Sequence, residues 1–152
     1  MRGRLRASLV KGGTVKTFLS GMWALLFCLP AFAQAPQESK NLVISNYLAA
    51  QEALAGDDYE KARTALQALA KASEGDLKTL SETAANAGSI KLMRLAFKPL
   101  SAAVIKLEIP EGLVVASCPM VPASWVQKDG EIRNPYYGRS MLTCGTIYKK
   151  KR

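Results

Sequence analysis

Four sulfur-bearing side chains form two pairs near the end of this sequence, Cys118 with Met120 and Met141 with Cys144. Thiolate and thioether sulfurs are soft ligands, which select Cu(I) or Ag(I) over hard cations such as Mg²⁺. Cys118 and Met120 are two residues apart, so an extended segment would direct both side chains to one side. Met141 and Cys144 are three apart, which suits a single turn, and the Asn-Pro-Tyr-Tyr-Gly bend at residues 134–138 would return them toward the first pair. The spacing therefore indicates a soft-metal site with these four residues as ligands.

A structural disulfide is the competing hypothesis for Cys118 and Cys144. Two cysteines in an exported protein usually form a disulfide, and methionines beside them usually fill gaps in the packing. In the chain-entropy model, closing a loop of this size stabilises a fold by roughly 3–4 kcal/mol. The residue types and their spacing leave three alternatives open, namely the disulfide, the metal site and free thiols that only pack in a small hairpin.

The N-terminal residues have the pattern of a secretory signal peptide. An apolar run from Phe18 to Phe32 follows five basic residues, and residues 31–33, Ala-Phe-Ala, match the small-x-small pattern of a cleavage site. We predict a signal peptide over residues 1–33 and a polar linker over residues 34–40. The apolar run is short for a membrane span, and a retained anchor is the alternative. The pattern thus predicts a periplasmic protein without a stable membrane span after cleavage.

The charge of the exported chain argues against nucleic acid as a partner. The full sequence has 21 basic and 12 acidic residues, a net charge of +9. Five of the basic residues and none of the acidic ones precede the predicted cleavage site, which leaves 16 against 12, or +4. Apart from a basic tail at residues 149–152, which we expect to be solvated, the basic residues are spread out. No basic patch therefore indicates a nucleic-acid partner.

The composition is compatible with few catalytic arrangements. The sequence has no histidine, which excludes Ser-His-Asp and Cys-His catalysis as well as imidazole-bound zinc. The Cys-x-x-Cys spacing of a thiol oxidoreductase is missing, and no acid–base pair stands at a recognisable spacing. We therefore predict that the protein is not an enzyme.

Residues 41–109 carry four amphipathic segments joined by short loops. Asp57 is the predicted N-cap of the second segment, and Pro99 is expected to kink or divide the fourth. An antiparallel helical bundle is the most economical arrangement of such segments, so the fold is predicted to be mainly α. The side chains expected to face the core are those of Tyr59, Ala62, Leu66, Leu69, Ala70, Leu77, Leu80, Ala84, Ile90, Met93, Phe97, Leu100, Val104 and Leu107.

The apolar period changes from helical to strand-like at about residue 110. Short extended segments are predicted at residues 113–117, 124–132 and 141–149. Asp129-Gly130 is the expected hairpin turn. Residues 110–148 are therefore predicted to form a small β-rich hairpin region of the same domain. The aromatic residues expected to pack inside it, rather than to form a binding platform, are Trp125, Tyr136 and Tyr137.

The C-terminal motifs resemble a periplasmic domain family of unknown function. The matching residues are Cys118-Pro119-Met120, Trp125, Asn-Pro-Tyr-Tyr-Gly at 134–138 and Met-Leu-Thr-Cys-Gly at 141–145. Weaker matches in the helical half are Tyr47-Leu48, Ala53-Leu54, Asp57-Asp58, Arg94, Phe97 and Ser101. The family occurs alone in exported proteins and fused to the C-terminus of CusB-type copper/silver efflux adaptors. The resemblance, which covers roughly residues 42–147, implies periplasmic binding or delivery of Cu(I) or Ag(I), with an efflux adaptor or another envelope protein as partner. The alternative is a disulfide-stabilised module that docks on an envelope protein and has no metal role.

Overall fold

The computed structural model describes residues 35–148, with side chains from residue 38 onward. In chain order the elements are α1 (Ala35–Ala55), α2 (Tyr59–Ala72), α3 (Gly75–Ala85), α4 (Ile90–Ile105), β1 (Leu113–Cys118), β2 (Ala123–Lys128), a short 3-10 helix (Gly138–Met141) and β3 (Thr146–Tyr148). Four helices thus precede a three-stranded antiparallel sheet, which confirms the mainly α class. The predicted signal peptide and basic tail lie outside the described residues.

Each helix packs against the next one along the chain, and strand β2 packs on both α4 and α1. The sheet therefore joins the first helix to the last. Most of the predicted core stripe is buried, including Ala62, Leu66, Leu69 and Ala70 in α2 and Met93, Phe97, Leu100 and Val104 in α4. Burying a large aliphatic or aromatic side chain contributes about 1.5–3 kcal/mol, so these two stripes supply much of the helical core. Leu107 does not belong to it, because α4 ends at Ile105 and Leu107 is exposed.

The helix starts differ from the prediction in two places. Helix α1 begins at Ala35, so most of the predicted linker belongs to its first two turns, and Glu38 in the first turn places a negative charge that the helix dipole favours. The N-cap of α2 is Asp58, whose carboxylate accepts the Lys61 N–H at 3.0 Å. Asp57 precedes it with a φ of 63° and binds elsewhere. Pro99 does not divide α4, which runs through it.

The sheet has the strand order β2-β1-β3, so β1 lies in the centre. Strand β2 pairs with all six residues of β1, and the described part of β3 pairs with Val115–Ser117. The β1–β2 hairpin turns at residues 119–122, and the hairpin predicted at Asp129-Gly130 is wrong. Residues 129–137 form a loop instead, because the last strand returns to pair with β1 rather than with β2. Because β1 and β3 are far apart in the sequence, the turn residues Asp129 and Gly130 do not indicate that these strands pair.

Four aromatic rings join the helices to the C-terminal part. Tyr47 of α1 stacks on Phe97 of α4 with ring centroids 5.2 Å apart. Phe97 contacts Tyr136 at 6.2 Å, and Trp125 of β2 meets Tyr136 edge-on at 5.8 Å. All four residues are buried, which confirms that Trp125 and Tyr136 pack in the core. Tyr137 is half-buried against them.

Candidate dithiol site

Cys118 and Cys144 lie side by side as free thiols, with their Sγ atoms 2.8 Å apart. Cys118 is the last residue of β1 and is on its buried face, with an exposed fraction of 1%. Cys144 lies between the 3-10 helix and β3 and is half-buried. The predicted return of the second cysteine to the first is therefore confirmed, although 26 residues separate them.

Asn134 holds the loop that returns Cys144 to Cys118. Its buried side chain accepts the backbone N–H groups of Tyr136 at 2.8 Å and Tyr137 at 3.3 Å. Its Nδ2 atom donates to the Cys144 carbonyl at 2.8 Å, and its own N–H donates to the Leu142 carbonyl at 2.8 Å. One asparagine thus forms the turn at Pro135 and ties it to the segment that carries the second thiol.

The two thiols are not electrostatically equivalent. Burial raises the pKa of Cys118, but hydrogen bonds from Cys144, from the backbone of Val121 and Met120 and from Asn134 outweigh it and lower that pKa below its usual value. The hydrogen bond to Cys118 raises the pKa of Cys144. Cys118 is therefore the first of the two to ionise, and once it is a thiolate the Cys144 thiol is the group that donates a proton to it. A thiolate is the form that attacks a disulfide or ligates a metal ion.

The two predicted methionine ligands occupy different environments. Met120 lies in the turn after β1 and is 65% exposed. The expectation that Cys118 and Met120 share one extended segment is wrong, because the strand ends at Cys118. Met141 ends the 3-10 helix, is half-buried, and its carbonyl accepts the Cys144 N–H at 3.1 Å. This bond confirms the predicted turn between Met141 and Cys144. A ligand role for either methionine sulfur stays a prediction.

A second polar cluster fastens the same loop to the helices, and the sequence pattern does not reveal it. The Arg94 guanidinium binds the Asp57 carboxylate at 2.5 Å and the carbonyls of Leu54 at 2.7 Å and Pro135 at 2.8 Å. Asp57 also accepts the Arg139 N–H at 3.1 Å. The hydrogen bond from Arg94 is the main cause of the lowered pKa of Asp57.

Gly138 is required where this cluster meets the loop. It has a φ of 57°, which favours glycine, and a Cβ atom there would overlap the Asp57 carboxylate and the Arg94 guanidinium. The glycine of the Asn-Pro-Tyr-Tyr-Gly motif therefore leaves the space in which Asp57 and Arg94 attach the loop to α4. Asp57 itself has a positive φ, which aspartate tolerates better than most residues.

Helix α1 supports the loop from the other side. Gln51 donates from Nε2 to the Arg133 carbonyl at 2.6 Å, and the Arg133 side chain binds Glu52 at 2.6 Å. Gln127 of β2 accepts the Trp125 indole N–H at 2.9 Å and the Arg133 N–H at 3.0 Å. The segment between β2 and Cys144 is thus bonded to both terminal helices and to the sheet, which holds the thiol pair in place.

Within residues 35–148, no group of three or more His, Cys, Asp or Glu side chains is placed to hold a metal ion. Over the same residues no helix has the length and apolar character needed to cross a membrane.

The fold and the site together define a small, mainly α-helical protein with a dithiol site. Comparison with protein-family models, curated proteins and solved structures gives no match. The family resemblance of the C-terminal motifs accordingly stays a prediction.

Proposed function

We propose that this is an exported, non-enzymatic protein that binds one soft monovalent metal ion, Cu(I) or Ag(I), through Cys118 and Cys144. The observation that carries the proposal is the contact between the two thiols, 2.8 Å apart with one of them buried. Two thiolates are the protein ligands that soft cations prefer. In this proposal the four helices form an antiparallel bundle that serves as the scaffold, and an efflux adaptor or another envelope protein exchanges the ion.

Cys118 and Cys144 can bind such an ion if their Sγ atoms move apart from the observed separation of 2.8 Å. Two sulfurs at the metal–thiolate distance of about 2.3 Å known for zinc stand about 3.8 Å apart in tetrahedral geometry and further apart in linear geometry, so the observed separation of 2.8 Å must widen by about 1 Å or more. Cys144 is the side chain able to supply this shift, since it is half-buried and lies outside the regular strands. Cys118 is held in β1 and remains the fixed ligand in this proposal.

The hydrogen bonds at Cys118 also favour a ligand role. Metal binding by a thiol releases a proton, so a thiol with a lowered pKa binds the ion more readily near neutral pH. The backbone of Met120 and Val121 and the Asn134 side chain all stabilise the anionic form of this sulfur. Met120, exposed beside the pair, and Met141 are proposed to supply additional thioether ligands.

Competition titration of the reduced protein with Cu(I) tests the proposal. We expect uptake of one Cu(I) per chain against a competing chelator, and loss of that uptake in the Cys118→Ser, Cys144→Ser double variant. Circular dichroism at matched concentration shows whether this variant stays folded. Equal uptake by the reduced protein and its folded double variant would contradict the proposal.

The two methionines are tested separately with Met120→Leu and Met141→Leu. Because leucine and methionine have similar volumes, each variant is expected to keep its melting temperature. Each should bind Cu(I) more weakly than the parent protein if its thioether is a ligand. Unchanged affinity in both variants would restrict the ligand set to the cysteines.

A disulfide-stabilised interaction module is the second candidate, favoured by the short distance between the sulfurs. A disulfide has an S–S length of about 2.05 Å, so the atoms at 2.8 Å need only a small approach to bond. Under this alternative the protein isolated from the periplasm has no free thiols, and reduction lowers its free energy of unfolding by up to about 4 kcal/mol. A thiol count with and without reductant measures this directly. A disulfide that opens on reduction remains compatible with metal binding by the reduced form.

A further inference from the structure

The outer side of α4 carries two parallel rows of side chains. The apolar row consists of Leu92, Leu95 and Pro99. The basic row lies one position earlier at each step and consists of Lys91, Arg94 and Lys98. Both leucines are 53% exposed. Because residues three and four apart lie on one face of a helix, each row runs about 10 Å along α4. Exposed aliphatic side chains thus lie directly beside cations.

Two cations of the basic row are not engaged in an ion pair within residues 35–148. Arg94 is paired with Asp57, whereas neither Lys91, which is exposed, nor Lys98, which is partly so, contacts a carboxylate there. The Asp57 carboxylate also accepts the backbone N–H of Arg139 at 3.1 Å, which brings a further exposed cation beside the row. The two lysines can therefore bind anionic groups without breaking an existing ion pair.

Charge is distributed unevenly over residues 35–148. They hold 12 basic and 12 acidic side chains and are neutral as a whole. Residues 90–106, which comprise α4 and its C-cap, hold four of the basic side chains and none of the acidic ones, so the rest of the described chain has a net charge of −4. An extended anionic surface would attract the α4 side and repel the rest. This asymmetry favours a planar anionic surface over a small acidic patch, because the field of a planar surface acts on the whole molecule.

We propose that the outer side of α4 binds the surface of a bilayer that contains anionic phospholipid. Leu92 and Leu95 insert at the boundary between headgroups and acyl chains, as apolar side chains of interfacial helices do. Lys91 and Lys98 bind lipid phosphates, because a lysine ammonium group reaches them on its long aliphatic stem. The contact is peripheral and reversible, since two leucines and a few cations provide far less than stable anchoring requires.

This inference does not depend on the dithiol site or on metal binding. It assigns a function to the one described helix that combines exposed leucines with an excess of basic residues. A partner protein with an acidic helix is the competing occupant of the same side of α4.

Co-sedimentation with two kinds of lipid vesicle tests the proposal. Vesicles of equal parts phosphatidylglycerol and phosphatidylethanolamine present the anionic headgroup, and phosphatidylcholine vesicles are the neutral comparison. We expect the protein to bind the anionic vesicles about tenfold or more tightly than the neutral ones at low salt, and to bind them less as salt is added. A protein that sediments with neither kind would overturn the proposal and would leave an acidic protein as the partner of α4.

Two leucine variants form a matched pair that tests the apolar row. Leu95→Ser and Leu42→Ser remove leucines of nearly equal exposure, 53% on α4 and 51% on α1. We expect Leu95→Ser to weaken binding to the anionic vesicles by about fivefold or more, because less apolar surface inserts, and Leu42→Ser to leave it unchanged. Both variants keep the N-terminal segment and the basic tail, so any binding by those parts is common to them. Equal binding by the two variants would overturn the proposal.

The depth of insertion is measured with Leu95→Trp and Leu42→Trp on anionic vesicles that carry brominated acyl chains. Bromine quenches an indole that reaches the acyl boundary. We expect the fluorescence of the indole introduced by Leu95→Trp to be quenched, and that of the indole introduced by Leu42→Trp to persist. Equal quenching in the two variants, or none in either, would contradict insertion through α4.

The basic row has its own control pair. Lys91→Gln with Lys98→Gln should weaken binding to the anionic vesicles by about tenfold or more at low salt, because each lysine near an anionic surface strengthens binding several-fold. Lys61→Gln with Lys71→Gln makes the same change in net charge at exposed positions of α2 and should leave binding unchanged. The same loss in both double variants would show that net charge rather than α4 drives the binding, and would overturn the proposal.

Discussion

The helical part and the C-terminal part of this protein are held together by different interactions. In the helices, apolar stripes such as that of α2 bury many small and medium side chains. In the C-terminal part, the described residues of β3 number three. Its longest loop is held by bonds from the side chains of Asn134, Gln127 and Gln51 to the backbone. Stability is therefore spread over many contacts in one part and concentrated in a few polar residues in the other.

This contrast predicts how each part responds to substitution. A core stripe tolerates changes of similar volume, because each contact contributes little and neighbours can adjust. A buried polar side chain with several partners leaves each of them unsatisfied when it is removed, at about 1–3 kcal/mol for each group. Substitution of a side chain that hydrogen-bonds to the loop backbone should thus lower the free energy of unfolding more than the size of that side chain suggests.

The largest effect is expected where the two parts meet, at Phe97. Its ring contacts Tyr47 of α1 and Tyr136 of the loop and is fully buried. Phe97→Ala should lower the free energy of unfolding by about 3–5 kcal/mol, measured by urea denaturation. Leu95→Ala, at an exposed position of the same helix, is the control. A loss below about 1 kcal/mol at Phe97 would refute the interface.

The next effect is expected at Asn134, whose side chain makes three hydrogen bonds to the loop backbone. Asn134→Ala removes the acceptor for two backbone N–H groups and the donor to the Cys144 carbonyl. We expect a loss of about 2–4 kcal/mol, together with faster alkylation of Cys118 because the loop no longer covers it. Asn41→Ala, at an exposed position of α1, should change stability by less than about 0.5 kcal/mol. A similar loss of stability in the two variants would contradict the contrast between the helical part and the C-terminal part.

A smaller effect is expected from Gly138→Ala. The substitution forces a positive φ on alanine and places a methyl group against Asp57 and Arg94, which should destabilise the fold by about 1–3 kcal/mol. Gly88→Ala is the matched control, since Gly88 has no positive φ and no atom near its missing Cβ. Melting temperatures of the two variants measure the difference. An equal change in both would show that the loop is not anchored at Gly138.

The smallest effect is expected at the ion pair of Asp57 and Arg94, and it depends on pH. The folded-state pKa of Asp57 is lowered, chiefly by the Arg94 hydrogen bond. The stabilisation is therefore complete above the unfolded value of about 4 and is lost as the pH falls through the lower folded value. Because the carboxylate is partly exposed, Asp57→Asn should cost only about 1 kcal/mol at pH 7. The variant and parent should converge once the pH falls below the lowered folded-state pKa of Asp57, and a constant difference across pH would contradict this role.

The helical half was predictable to a large extent, because its core depends on local periodicity. Leu66, Phe97 and Val104 were assigned to the core from their spacing alone. The sequence predicts Asp57 as the N-cap of α2, whereas the N-cap is Asp58. This difference was not predictable, since Asp57 instead binds Arg94, which is 37 residues away in the chain. Asn134 is a recognisable turn residue before a proline, but its bond to Cys144 depends on tertiary structure. Asp129-Gly130 gave a wrong hairpin for the same reason, because the strand that follows pairs with β1.

X-ray absorption at the copper edge of the reduced, Cu(I)-loaded protein tests the central proposal most directly, because it identifies the atoms around the ion. We expect a first shell of sulfur atoms only, with at least two ligands, and a loss of this shell in the Cys118→Ser, Cys144→Ser double variant. Met120→Leu or Met141→Leu should remove one sulfur from the shell if that thioether binds. A shell of nitrogen or oxygen atoms, or the same spectrum in the double variant, would contradict a metal site at the thiol pair.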